Sequence, residues 1–130
     1  MSRVLPDTHL LLWIAEDSIR MPAEAAAVLK DEENEIFFSV ASIWEVSIKA
    51  ALNKPGYLAD PSALRRGLLG IGFRELLITS AHVIAVAKLP HHHRDPFDRL
   101  LVAQARTEGL TLMTTDKTLA RYGASVRRFR

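Results

Sequence analysis

Short apolar runs alternate along this chain with amphipathic stretches, and the alternation predicts an α/β domain. The run Glu35-Ile36-Phe37-Phe38 is compact and bounded by charge, as is typical of a buried strand. Other stretches repeat apolar residues at helical spacing. In the first of them, the apolar face consists of Leu10, Leu11, Trp13 and Ile14. Strands that alternate with helices favour a mostly parallel sheet.

The pattern predicts five strands, over residues 3–7, 35–38, 74–79, 110–114 and 125–129. It predicts helices over residues 8–16, 23–33, 40 to about 53, 60 or 62 to 69, 80–88, 96–108 and 117–122. Turn residues set several of these boundaries. Pro22 suits a first helical position, Lys54-Pro55-Gly56 and Pro90 end helices, and Gly109 suits a helix C-terminus.

Length and composition indicate one soluble domain over residues 1–130. Apolar residues make up 48% of the 130 and charged residues 25%, a profile typical of a globular protein. No apolar run is long enough to span a bilayer, and no secretory signal opens the chain. Cysteine is absent, which excludes disulfides and thiolate metal sites and fits a cytoplasmic location.

Charge alone does not identify a partner, because the net charge is only +2. Basic residues crowd the C-terminus, namely Arg121, Arg127, Arg128 and Arg130. A local basic surface of this kind could attract phosphate. A solvated basic tail explains the same pattern, so both interpretations stay open.

Four acidic residues stand at positions where a parallel sheet would bring them together. Asp7 and Asp116 end predicted strands, while Glu45 and Asp98 lie in the first turns of predicted helices. Sites in such sheets lie beyond the carboxyl ends of the strands. Clustered carboxylates without a cation repel one another, and hard oxygen ligands suit Mg²⁺ or Mn²⁺. We therefore expect a divalent metal site.

Each of these acids also has an ordinary structural role available. Asp7 could cap the helix that follows it, and Asp116 could initiate the short helix of residues 117–122. Glu45 could pair with Lys49 four residues later, or form a capping box with Ser42. The argument for a metal depends on the four acids as a set.

Asp95 and Asp98 divide between these roles. Asp95 suits the N-cap of the helix that begins at Pro96, and both acids complement the positive end of the helix dipole. A capping box prefers Glu or Gln three residues later, so capping explains Asp98 less well. We assign Asp95 mainly to capping and Asp98 to the metal.

Other polar residues near the acids are candidates for supporting roles: Thr8, Asp95, Thr115, Arg99, Lys49 and His93. His93 could touch substrate or neutralise the acids as imidazolium, although a solvated loop is the more ordinary interpretation of His91-His92-His93. Arg99 and Lys49 could contact phosphate, and ordinary ion pairs fit them equally well.

Four segments in this order and spacing resemble PIN-domain proteins, and more narrowly VapC-type toxins of toxin–antitoxin pairs. They are Leu5-Pro6-Asp7-Thr8-His9 with Trp13, Ser39-Val40-Ala41-Ser42-Ile43-Trp44-Glu45 with Lys49, His93-Arg94-Asp95-Pro96-Phe97-Asp98-Arg99 running into Ala103-Gln104-Ala105, and Thr114-Thr115-Asp116. The resemblance covers nearly the whole chain. Pro6 departs from it, since an aliphatic residue is more usual there.

The resemblance implies a three-layer α/β/α PIN-like domain and a Mg²⁺- or Mn²⁺-dependent endoribonuclease that hydrolyses RNA with metal-activated water. The invariant acids of the family fall on Asp7, Glu45 and Asp98, the more variable fourth acid on Asp116, and the hydroxyl beside the first acid on Thr8. It also implies a homodimer and a cognate antitoxin. Two alternatives remain: a non-catalytic RNA- or protein-binding module, and a metal-dependent DNA nuclease.

Overall fold

A computed structural model describes residues 1–52 and 59–130 of the chain, and its centre is a parallel sheet. The strands are β1 (Arg3–Pro6), β2 (Glu35–Ser39), β3 (Arg74–Leu76), β4 (Thr111–Thr114) and β5 (Val126–Arg128). Their order across the sheet is β3-β2-β1-β4-β5, and every neighbouring pair is parallel. Strands β2 and β3 lie on one side of β1, and β4 and β5 lie on the other. The carboxyl end of β1 is therefore a topological switch point.

Helices cover both faces of this sheet, so the predicted three-layer α/β/α fold is confirmed. They are α1 (Thr8–Glu16), α2 (Ala23–Lys30), α3 (Val40–Ala51), α4 (Pro61–Gly70), α5 (Ser80–Val86) and α6 (Pro96–Glu108), with a 3₁₀ turn at Leu119–Tyr122. None of the helices in the described part of the chain is long and apolar enough to cross a bilayer.

The sheet separates two apolar cores. Consecutive strand residues point to opposite faces, so Val4 packs with α1, α2 and α4 while Leu5 packs with α6. Met113 and Leu112 divide in the same way on β4. All four side chains are almost fully buried. This two-sided burial explains why the strands are continuous apolar runs in the sequence.

Polar side chains at the helix N-termini fix where the helices begin. The carboxylates of Asp7, Asp60 and Asp95 accept backbone N–H bonds at the starts of α1, α4 and α6, and the Ser39 hydroxyl does so for α3. Asp60 rather than Ser62 therefore caps α4. At the other end of α6, Gly109 has φ 68°, a left-handed conformation that favours glycine.

Several predicted boundaries were wrong, and local hydrogen bonds explain why. The strand predicted over residues 74–79 ends at Leu76, because Thr79 forms a capping box with His82 at the start of α5. The helix predicted over residues 117–122 is a 3₁₀ turn that begins only at Leu119, after Asp116 accepts from the Thr118 amide. The helix end predicted near Asn53, with Lys54-Pro55-Gly56, lies outside the described residues.

Other elements are shorter than predicted. The helix of residues 23–33 ends at Lys30, where Asp31 adopts an extended conformation and its carboxylate accepts from the Glu33 amide. The helix of residues 80–88 ends at Val86, and the strand of residues 125–129 covers only Val126–Arg128.

A buried polar network connects the helices that carry the acidic residues. The Ser39 hydroxyl, at the start of α3, donates to Gln104 Oε1 on α6. Gln104 Nε2 lies 3.3 Å from His82 Nδ1 on α5, and His82 Nε2 lies 2.7 Å from Glu108 Oε2. Buried polar groups of this kind are costly unless paired, so the network fixes α3, α5 and α6 in one arrangement.

Candidate metal centre

The candidate site lies where the central strands β1 and β4 end. Asp7 follows β1 directly and Asp116 follows β4 by two residues, while α3 and α6 bring Glu45 and Asp98. The negative charges of Asp7 and Glu45 both contribute to the raised pKa of Asp98, and that of Asp116 contributes to the raised pKa of Asp7. The predicted acids therefore act on one another electrostatically across four separate elements.

Both carboxylate oxygens of Asp7 have donors within the protein. Oδ1 accepts from the Leu10 amide at 3.0 Å, which caps α1, and Oδ2 accepts from the Thr114 hydroxyl at 2.6 Å. Burial raises the pKa of Asp7, and these two hydrogen bonds oppose the rise. The bond from the Leu10 amide that caps α1 therefore also orients the Asp7 carboxylate in the candidate site.

Glu45 is buried with its charge already compensated. Its Oε1 lies 2.8 Å from the Thr8 hydroxyl, and its Oε2 lies 2.7 Å from Lys49 Nζ. The proposed capping box with Ser42 is wrong, because Ser39 is the N-cap and Glu45 lies beyond the first turn of α3. Ser42 instead lies 2.9 Å from the Thr8 hydroxyl. Lys49 has the predicted ion pair with Glu45.

Asp95 has the predicted capping role, while metal binding by Asp98 stays a prediction. Asp95 Oδ1 accepts from the amides of Phe97 and Asp98, so Asp95 caps α6. Burial raises the pKa of Asp98 to about 7, and the charges of Asp95 and Asp7 add to the rise. A carboxyl group in this position is held close to its neutral form until a cation arrives.

His93 lies within the acid cluster, so its interpretation as part of a solvated loop is wrong. Its ring nitrogen Nε2 lies 3.0 Å from Asp116 Oδ2 and 3.5 Å from Asp98 Oδ2. Its other nitrogen, Nδ1, accepts from the Asp95 amide, so the neutral ring carries its proton on Nε2. In this orientation His93 donates a hydrogen bond between two acids.

Asp116 has the local structural role predicted for it and also contacts His93, while its role as a metal ligand stays a prediction. One oxygen accepts from the Thr118 amide at 2.7 Å and shapes the turn, and the other faces His93. Burial alone would raise the pKa of Asp116, but the hydrogen bonds from His93 and Thr118 outweigh it and the pKa is lowered. Asp116 is therefore ionised at neutral pH, whereas Asp98 holds its proton far more strongly than an ordinary carboxyl group does.

The donor set fits a hard divalent cation. Among the described residues, one group offers three ligand atoms within 4.8 Å of one another, from His93, Asp98 and Asp116. Since His93 presents Nε2–H to the acids, it has no lone pair there for a metal. Carboxylate oxygens remain, which is the chemistry that Mg²⁺ and Mn²⁺ prefer.

Two predicted supporting residues are placed differently from expectation. The Arg99 side chain is buried and donates to the carbonyl groups of Val86 and Leu89, so a contact with substrate phosphate is excluded in this arrangement. Thr115 has no side-chain contact with the acids among the described residues. Its neighbour Thr114 has that contact instead.

Thr114 and Tyr122 were missed in the sequence. The Thr114 hydroxyl donates to Asp7 and accepts from the Asp116 amide at 2.9 Å, which links the two strand-end acids. The pairing of Pro6 with Met113 places Thr114 beside Asp7, but a sequence does not reveal this register. Tyr122 accepts from the His93 amide and donates to the Pro90 carbonyl.

Together, the fold and the site define a parallel α/β/α domain with an acidic cluster at the carboxyl end of its central strands. The chain belongs to the PIN-domain family, whose family model matches residues 4–125. The resemblance to PIN-domain proteins stated from the sequence motifs is thereby confirmed.

Solved structures share this fold at low sequence identity. VapBC2 from Rickettsia felis, bound to a DNA fragment from its promoter, matches with a TM-score of 0.72 at 12% identity over 98% of this chain and 99% of that chain. FitAcB from Neisseria gonorrhoeae matches with a TM-score of 0.65 at 20% identity over 98% and 96%. VapBC-5 from Mycobacterium tuberculosis matches with a TM-score of 0.62 at 18% identity over 100% and 99%. A search of curated proteins found no relative.

Proposed function

We propose that this protein is a VapC-type toxin: a Mg²⁺- or Mn²⁺-dependent endoribonuclease held inactive by a cognate antitoxin. The observation that carries the proposal is an acidic cluster in a PIN domain: Asp98 and Asp116 offer ligand atoms within 4.8 Å of each other, and the charges of Asp7 and Glu45 act on Asp98. Burial and the charges of neighbouring acids raise the pKa of Asp98, and a bound cation would offset both effects.

The carboxylates would hold the ion, with Asp98 and Asp116 offering the less constrained oxygens. When bound, a divalent ion supplies a Lewis acid for the phosphate oxygens and lowers the pKa of coordinated water. Asp7 contributes a carboxylate fixed by the Leu10 amide and the Thr114 hydroxyl. His93 would hold Asp116 in place through its Nε2–H.

The proposed reaction is hydrolysis of an RNA phosphodiester bond. Water attacks phosphorus, the bond from phosphorus to the 3′ oxygen breaks, and that oxygen takes up a proton. The products are a 5′-phosphate and a 3′-hydroxyl. No cysteine exists in the chain, and the hydroxyls of Thr8 and Thr114 are engaged with Glu45 and Asp7, so water is the nucleophile that the site favours.

The partner in this proposal is an antitoxin protein. Structural neighbours described as toxin–antitoxin complexes support it, including one from Klebsiella pneumoniae with a TM-score of 0.63 at 20% identity over 95% of each chain. We also propose a homodimer. Three exposed apolar side chains around α5 support an interface there, namely Leu77, Val83 and Ile84. Light scattering of the purified chain tests this, and a monomer at all concentrations would contradict it.

The test of the proposed function combines metal binding with RNA cleavage. The purified protein should bind Mn²⁺ in calorimetry and cleave RNA only when Mg²⁺ or Mn²⁺ is added. Asp7→Asn and Asp98→Asn should remove cleavage while circular dichroism shows an intact fold. An unchanged cleavage rate in the double variant would sink the assignment. Cleavage of single-stranded or flap DNA in place of RNA would show that the protein is a DNA nuclease instead.

A further inference from the structure

A groove beside the acid cluster has features that metal binding does not explain. It has a volume of about 340 Å³ and lies between α3 and the start of α6. Its lining comprises Glu45, Ile48, Lys49, Arg94, Asp95, Pro96 and Phe97. Glu45, a candidate metal ligand, is one of these residues, so the groove adjoins the candidate metal centre.

An exposed aromatic pair borders this groove: Phe97 lines it, and Trp44 packs against Phe97 beside it. Trp44 immediately precedes Glu45 on α3 and is 53% exposed, although tryptophan is among the most costly side chains to leave in water. Its ring meets the ring of Phe97 edge to face, with centroids 4.9 Å apart and planes at 78°. This contact fixes the orientation of the indole, so little order is lost when a flat ligand stacks on it.

Basic side chains accompany the aromatic pair. Lys49 and Arg94 both line the groove, and Arg94 is exposed. Arg94 has no hydrogen bond or ion pair with any described residue. A flat aromatic surface next to positive charge is the combination that binds single-stranded nucleic acid, because a base stacks on the ring and the phosphate meets the cation.

We propose that this groove binds the nucleotide adjacent to the scissile phosphate of an RNA strand, with its base against Trp44 and its backbone phosphate beside Arg94. The inference deepens the proposed function and rests on it. Stacking tolerates any base, so the groove positions the strand without reading its sequence by hydrogen bonds. Trp44 is thus a positioning residue, and the acids remain the catalytic ones.

The first arm of the test measures binding of a fluorescein-labelled single-stranded RNA of about twelve nucleotides. Ca²⁺ replaces Mg²⁺, and gel electrophoresis checks that the RNA stays intact. Trp44→Ala should weaken binding about tenfold, while Trp44→Phe, which keeps a stacking ring, should weaken it much less. Leu52→Ala is the matched control, because Leu52 is a 62% exposed apolar residue at the C-terminal end of the same helix, about two turns beyond Trp44. It should bind as the native protein does.

The second arm identifies the contact as base stacking. RNAs carrying one abasic nucleotide are compared at each position in turn. At one position the missing base should weaken binding to the native protein about tenfold. It should leave binding to Trp44→Ala unchanged, because that variant already lacks the indole ring on which the base stacks. In parallel, Arg94→Gln should reduce the slope of log affinity against log salt by about 0.7, as expected when one phosphate contact to a single strand is lost.

Each failure has a distinct meaning. If Trp44→Ala binds and cleaves RNA like the native protein, the groove is not a nucleotide site, while the nuclease assignment stands. If the native protein shows the abasic effect but never cleaves RNA with Mg²⁺ or Mn²⁺, the nuclease assignment fails and the groove assignment stands. An equal loss in Leu52→Ala would also overturn the groove assignment, because it would point to general destabilisation of α3.

Discussion

Replacing Asp98 by asparagine should stabilise the metal-free protein while abolishing its activity. In the folded state, burial and the charges of Asp95 and Asp7 raise the pKa of Asp98 to about 7 from the ordinary 3.8. An unfolded chain imposes no such penalty. Ionised Asp98 therefore costs the folded state up to about 4 kcal/mol above pH 7. Partial exposure of the side chain reduces this cost, and we expect about 2 kcal/mol to be recovered by Asp98→Asn.

The pH dependence of this effect has a defined sign. Below about pH 4 the carboxyl group is protonated in both states and the cost disappears. Between about pH 4 and pH 7 the folded state holds a proton that the unfolded state releases, so stability falls as pH rises. The advantage of Asp98→Asn should therefore be largest at pH 8 and less than half as large at pH 5.

The assay is thermal unfolding in EDTA at both pH values, followed by cleavage of RNA with Mg²⁺. A gain of about 2 kcal/mol corresponds to a rise of about 6 °C in Tm for a domain of this size. Asp95→Asn is the control, because asparagine also caps a helix and the ligand set is intact. It should retain cleavage. A lower Tm for Asp98→Asn than for the native protein at pH 8 would refute the reasoning.

Three further predictions follow from single contacts of the site. The Mn²⁺ dissociation constant from calorimetry should rise about tenfold for each pH unit below about 7, because protons compete for Asp98; a flat profile would contradict this. Thr114→Val should lower the free energy of unfolding by about 1–3 kcal/mol in urea titration, since it removes the 2.6 Å donor to Asp7, and Thr114→Ser should restore it. Arg99→Lys should lower Tm, because one ammonium cannot replace two guanidinium nitrogens, of which one contacts His91 Nδ1 and the other donates to the carbonyl groups of Val86 and Leu89. RNA affinity should stay unchanged, and a loss of affinity in the folded variant would restore Arg99 as a phosphate contact.

The fold was predictable because the central strands are short apolar runs bounded by turn signals. A parallel strand that is buried on both faces is a short apolar run whichever strands it pairs with. The run at residues 35–38 can therefore be recognised from the sequence alone. The predicted ends of strands and helices were wrong where side chains compete with the backbone for hydrogen bonds. Thr79 and Asp116 are examples, because each uses a side-chain oxygen to begin a turn that the apolar pattern does not record.

The site was predictable only as far as its carboxylates. Their positions after strands and at helix starts follow from chain order, whereas the donors that hold them depend on strand register and on a loop. Thr114 is adjacent to Asp7 only because β1 and β4 pair in one register. His93 reaches Asp116 because its Nδ1 is held by the Asp95 amide, a contact that a run of three histidines does not suggest.

The central claim is that the acid cluster cleaves RNA, and sequencing of RNA ends after induced expression tests it most directly. Expression of the native chain should produce new 5′-phosphate ends at defined sites within minutes, and Asp95→Asn should produce the same ends. Asp98→Asn, expressed to the same level, should produce none. The same new ends in cells expressing Asp98→Asn, or no new ends with the native chain, would contradict the account.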